Sequence, residues 1–168
     1  MKNKLIAMAI LLTGFTTAAS AQASATATAT ATIITPISIS KTADMSFGNI
    51  AVQSATGGTV VLDAAGTRTS TSGVTLPATA GTVTAAAFTV NGTGSYTYAV
   101  TLPSTATLTR ASGTETMVAS SFTSNPSGTG ALTAGTQNIA VGATLTVAAA
   151  QVAGVYTSGN FNVTVNYN

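Results

Sequence analysis

The sequence predicts an all-β domain, an immunoglobulin-like two-sheet β-sandwich with an N-terminal extension strand. Three observations carry that reading. Several segments alternate apolar and polar residues with a period of two, as half-buried strands do. Turn residues recur between them, as in Thr56-Gly57-Gly58, Asn91-Gly92, Asn125-Pro126-Ser127-Gly128, Ala134-Gly135 and Ser158-Gly159. No stretch sustains a helical period; the alanine-rich run AAAQVAG (148–154) is short, ends on glycine and supports one turn at most.

The chain opens on MKNKLIAMAILLTGFTTAASAQ, with Lys2 and Lys4, an apolar run from Leu5 to Phe15, and Ala19-Ser20-Ala21. This is the pattern of a secretory signal peptide cut after Ala21. A spanning helix needs about 20 apolar residues, more than this run offers. The expected organisation is a signal peptide over 1–21, an extension over 22–36 and a sandwich over 37–168. Such a chain is exported, passes through a periplasm and ends at the cell surface or outside the cell.

In ASATATATATIITPISIS (23–40), Ala25, Ala27, Ala29, Ala31 and Ile33 share one face, and Thr26, Thr28, Thr30 and Thr32 share the other. Residues 25–33 would span roughly 30 Å as a strand. Pro36 lacks an N–H and belongs at a break, so it divides this leading strand from a first domain strand at 37–40. Further strands are predicted in GTVVLD (58–63), GVTL (73–76), GTVTAAAFTV (81–90), SYTYAVTL (95–102), ETMVASSF (115–122) and NIAVGATLTV (138–147). In GTVTAAAFTV the apolar phase shifts at Ala85–Ala87, which suggests a bulge. The closing NFNVTVNYN (160–168) alternates cleanly, with Phe161, Val163, Val165 and Tyr167 on the core side. Asn162 and Thr164 face solvent or another copy. The count comes to seven to nine strands at about ten-residue spacing, which favours a sandwich over a barrel.

Of five basic residues, Lys2 and Lys4 lie in the signal segment. Lys41, Arg68 and Arg110 then balance Asp44, Asp63 and Glu115. A neutral, charge-poor chain lacks the basic footprint of a nucleic-acid or anionic-membrane binder, and no membrane insertion of the mature chain is expected. So few charges suit a protein packed against copies of itself or a surface.

Histidine and cysteine are absent. With them go the usual general base, the thiolate nucleophile, most transition-metal sets and disulfides. Three scattered carboxylates make neither a glycosidase pair nor a calcium shell. No enzyme activity, catalytic residue, metal or cofactor is expected. Leu76-Pro77-Ala78-Thr79-Ala80 and Leu102-Pro103-Ser104-Thr105-Ala106 look like wall-sorting signals but lack the apolar tail and basic end, and read as turns after strands. Thr-x-Thr pairs such as Thr144-Leu145-Thr146 recur without a fixed period, unlike an ice-binding repeat.

A strand ahead of its own domain is what β-strand addition requires, an extended tail completing the open edge of a neighbour. The same residues could instead pair within their own domain or stay unpaired. Over ATIITPISISKTADMSFGNI, GTVVLDAAGTRT, FTVNGTGSYTYAVTLPS and residues 122–168, the chain resembles the exported bacterial domains of unknown function 4402. Phe47-Gly48 and AGVYTSGNFNVTVNY are more loosely similar to spore-coat-U-like subunits of archaic chaperone–usher pili. That similarity implies an immunoglobulin-like fold, polymerisation through a donated N-terminal strand, a periplasmic chaperone and an outer-membrane usher. The expected function is a structural subunit of a bacterial surface filament, with other copies or related subunits as partners. The alternative is a monomeric secreted or surface binding module, for a ligand such as a glycan, in which Tyr96, Tyr98 or Tyr156 stacks on that ligand.

Overall fold

The structure, a computed structural model, describes residues 21–168. The predicted signal peptide, up to Ser20, therefore lies outside the described residues. Residues 33–168 form one compact unit. Every described residue in a regular element is in a strand, and the pairing is antiparallel throughout.

In chain order the strands are β1 (Ser38–Ala43), β2 (Ser46–Phe47), β3 (Ala51–Val52), β4 (Gly58–Leu62), β5 (Arg68–Ser70), β6 (Val74–Thr75), β7 (Val83–Thr84) and β8 (Ala86–Asn91). They continue with β9 (Thr97–Thr101), β10 (Thr105–Arg110), β11 (Thr116–Asn125), β12 (Thr129–Ala131), β13 (Thr136–Val147), β14 (Tyr156–Ser158) and β15 (Thr164–Tyr167). A large sheet runs β1-β8-β13-β11-β10-β14, with β4 and β5 added beside β13. A second sheet runs β12-β9-β15, and two ribbons pair β2 with β7 and β3 with β6. The chain crosses between the two sheets at β8–β9, β9–β10, β11–β12, β12–β13 and β14–β15, which makes a β-sandwich.

The spine is β13. Ile139, Val141, Ala143, Leu145 and Val147 alternate inward without a break and are all buried. One edge of β13 pairs with β11; the other pairs with β8 as far as Val141 and with β4 from Ala143. Gly142 sits where the partner changes, and a Cβ there would lie 2.2 Å from the Leu62 carbonyl oxygen, so only glycine lets the two strands meet.

The second sheet is tied to this spine by Tyr98. Its ring is fully buried, and its hydroxyl donates to Gln137 Oε1 at 2.7 Å, which also accepts from Ala131 N at 2.9 Å. Burial pushes the Tyr98 phenol pKa up. Opposite it, Gly130 makes room for the ring. Two core clusters result. One gathers Phe88, Val90, Tyr98, Leu132, Ile139 and Val165 beneath the second sheet. The other gathers Phe47, Val60, Leu62, Val74, Leu145 and Val147 beneath the ribbons.

Several local expectations change. The strands number more than seven to nine, because β2, β3, β5, β12 and β14 are two- or three-residue pieces too short for a period to register. TATLTR alternates and forms β10, although it follows the Leu102-Pro103 turn. The phase shift at Ala85 marks no bulge: β7 ends there and pairs with β2, while β8 begins and pairs with β1 and β13. Register breaks fall instead at Lys41/Ala43 and Ser120/Thr123. Ala149 and Ala150 make a turn, with Ala150 at φ 51°.

Candidate functional site: a cleft beside the closing strand

The opening segment is described first by itself. Residues 21–37 belong to no strand, and Ala25, Ala27, Ala29 and Ala31 are all exposed. Ile33, the one large residue of the predicted donor face, is 97% exposed.

The closing segment is packed. β15 starts at Thr164, so Phe161 and Val163 precede it, yet the alternation runs through all four residues. Val165 is buried, while Phe161, Val163 and Tyr167 are half-buried against the core; Asn162, Thr164 and Asn166 are exposed. The Phe161 ring lies 5.3 Å from that of Phe122. β15 pairs with β9 on one side only and is the edge of the second sheet.

Beside that edge the sandwich is open. A cleft of about 460 Å³ lies between the inner face of the large sheet and the segment that carries the chain from β14 into β15. Its floor is apolar, with Ala86, Ala106 and Ala119 set among the larger Phe88, Leu108 and Phe122. The end of β1, at Lys41, Ala43 and Asp44, forms one rim, and Ser158–Asn162 forms the other. The volume lies within the range of sites that hold ligands or peptides. No residue of β15 itself lines it; the cleft ends at Asn162, before that strand begins.

Charge at the rim is sparse and paired. Lys41 Nζ meets Asp44 Oδ1 at 2.6 Å, exposed. Behind β14, Arg110 Nε and Nη2 hold the two Glu115 carboxylate oxygens at 2.7 and 3.1 Å. This fork, with help from backbone N–H groups, lowers the Glu115 pKa to about 2. Arg68 turns inward and donates to the Phe47 and Asn49 carbonyls, pinning the loop after β2. Among the described residues, no group of three His, Cys, Asp or Glu side chains could hold a metal ion.

The tyrosines separate. Tyr98 is buried. Tyr156 lines the cleft, half-buried, with its hydroxyl donating to the Val152 carbonyl at 2.7 Å. Tyr96 is 49% exposed and stands edge-on to Tyr167 at 5.8 Å.

Sequence reasoning missed the cleft, because its floor comes from three separate strands and its alanines carry no signal singly. It also missed the order in the threonines. Across the outer face of the large sheet, Thr59, Thr146, Val118 and Thr107 stand in one row, and Val61, Thr144, Ser120 and Thr105 in the next.

One family model matches the chain, over residues 37–167: the domain of unknown function DUF4402. The chain belongs to this family. The match starts just past Pro36, so the DUF4402 domain coincides with the sandwich and the leader precedes it. No curated protein and no solved structure matches the chain.

Proposed function

We propose that this DUF4402 protein is a structural subunit of a bacterial surface filament, in which the strand 25–33 of one copy is added to the cleft of the next. The observation that carries the reading is the cleft itself, an apolar-floored gap between the large sheet and the Ser158–Asn162 segment that leads into the open edge strand β15. An edge strand beside apolar surface is a liability unless something covers it. Strand addition covers it with main-chain hydrogen bonds and sets alternate side chains into the gap. Over Ala86, Ala106 and Ala119 the floor lets the backbone of an incoming strand come close, which suits the small Ala25–Ala31 methyls.

The low charge of the chain favours the same reading, since contacts between copies then bury little charge. On this proposal export proceeds through a signal peptide, the partners are other copies or related subunits, and a periplasmic chaperone and an outer-membrane usher handle the open subunit before assembly. Deleting residues 22–33 tests it: filaments or heat-resistant oligomers of the parent should disappear by electron microscopy and on gels while the sandwich stays folded. A parent that is monomeric at high concentration and in its producing cells would refute it.

A further inference from the structure

The leader is joined to the sandwich through a corner tied from three directions. Thr35 N donates to Thr93 Oγ1 at 2.9 Å. The Thr35 carbonyl accepts from the Tyr167 hydroxyl at 3.0 Å and from Thr93 Oγ1 at 3.4 Å. The Tyr167 oxygen in turn accepts from Thr93 N at 2.7 Å. Both backbone polar groups of Thr35 are thus occupied by residues 58 and 132 positions away. A Cβ at Gly92 would lie 2.2 Å from the Tyr167 oxygen, so the loop is shaped around this hydroxyl.

Pro36 adds a covalent restriction. It fixes its own φ, carries no N–H, and biases Thr35 toward extended backbone. From the corner the chain runs through Ile37 into β1, and Ile37 and Ile39 pack against the core; the cleft begins only at Lys41. For the leader to enter its own cleft it must reverse direction between Ile33 and Pro36 and run back past Ile37 and Ile39. A tight turn there would need Thr35 to leave the extended region and its N–H or carbonyl to be free. The corner withholds both.

We infer that Thr35, Pro36, Thr93 and Tyr167 form a positioning device that holds the leader off its own cleft, leaving the cleft to the leader of a second copy of this chain. The inference rests on the strand-addition reading and adds to it the reason why a strand tethered so close to a fitting cleft does not close it. Its cost is small, being a few hydrogen bonds and one proline. Its effect is to convert a self-closing domain into one that polymerises head to tail.

The chain has no cysteine, so spin labels can be placed at will on the full mature chain. Labels at A29C and N160C, in labelled protein diluted into unlabelled protein, report the distance within one copy. A self-seated leader brings the two within about 10 Å of each other. The parent should give a broad distribution far longer than that, and Tyr167→Phe combined with Pro36→Ala should add a short-distance population and lower the yield of assemblies. Pro36→Ala alone, at an exposed position, should show the same shift in smaller proportion if Tyr167→Phe disturbs the fold. A short distance in the parent would overturn the inference. So would long distances in every variant with assembly intact. Singly labelled A29C protein mixed with singly labelled N160C protein reads the filament proposal separately: without any short distance between copies, strand addition fails whatever the corner does.

Discussion

The opening and closing segments of this chain alternate equally well, and only one of them is packed. Ala25–Ile33 is exposed along its length, whereas Phe161–Tyr167 is half-buried or buried at every second residue. The difference lies in what each alternating side chain contributes. A buried valine or phenylalanine stabilises by about 1.5–3 kcal/mol, and a methyl group by about 0.8 kcal/mol. Ordering one residue of backbone costs about 1–2 kcal/mol. Val163, Val165 and Tyr167 exceed that cost against an ordinary sheet edge. Alanines do not, and need a recess that also satisfies their backbone on both sides. The cleft between the end of β1 and Ser158–Asn162 is the recess proposed for them.

The sharpest way to break the comparison is to charge each face in turn. Val165→Asp places an unpaired carboxylate in the core cluster around Tyr98 and Leu132 and should destabilise the sandwich by about 3–5 kcal/mol, read from chemical denaturation. Ala29→Asp should leave the melting of the isolated sandwich unchanged while weakening assembly by about 100-fold, the equivalent of roughly 3 kcal/mol. Thr30→Asp, on the opposite face, should weaken it less. Equal effects of Ala29→Asp and Thr30→Asp on sedimentation or filament yield would show that the alternation of the leader plays no part.

A smaller effect tests how the second sheet is held beside the cleft. Gly130→Ala puts a Cβ 2.3 Å from Tyr98 Cζ and should cost about 1–3 kcal/mol through a displaced ring, with the Tyr98–Gln137 bond disturbed in step. The smallest involves Glu115. Because Arg110 lowers its folded pKa to about 2 from an ordinary value of 4.5, the contribution to stability is fully present above pH 4.5. It is lost as pH falls through 2. In Glu115→Gln this part of the acid slope should vanish from melting curves taken between pH 5 and 2, and the same loss, small because the pair is partly exposed, should appear at pH 7.

How far the fold was legible follows from the same accounting. NIAVGATLTV and NFNVTVNYN carry large residues at every second position, so period alone located β13 and the core side of Val163 and Val165. β2, β3 and β6 hold two residues each, too few for a period; β2 lies beside the Arg68 contact to the Phe47 carbonyl and the close approach at Gly48, which are tertiary facts. The β7–β8 junction read as a bulge because a change of partner and a change of register shift the phase alike. The candidate donor face was visible as a pattern, but the cleft was not: Ala86, Ala106 and Ala119 are ordinary small residues until three strands bring them together. The Thr35–Thr93–Tyr167 corner links positions up to 132 residues apart and has no local signature.

The central claim is that a leader seats in the cleft of another copy, and cross-linking between singly substituted chains tests it most directly. Two preparations of the full mature chain, one A29C and one A43C, are mixed and oxidised; neither has any other cysteine. Ala43 lines the cleft rim. The account predicts a disulfide-linked pair that contains one chain of each kind, in preference to pairs of either alone, and that is lost when Ala29→Asp is introduced in cis with a neighbouring A27C in place of A29C. A mixture that yields no mixed pair, while the doubly substituted A29C/A43C chain closes on itself, would contradict it.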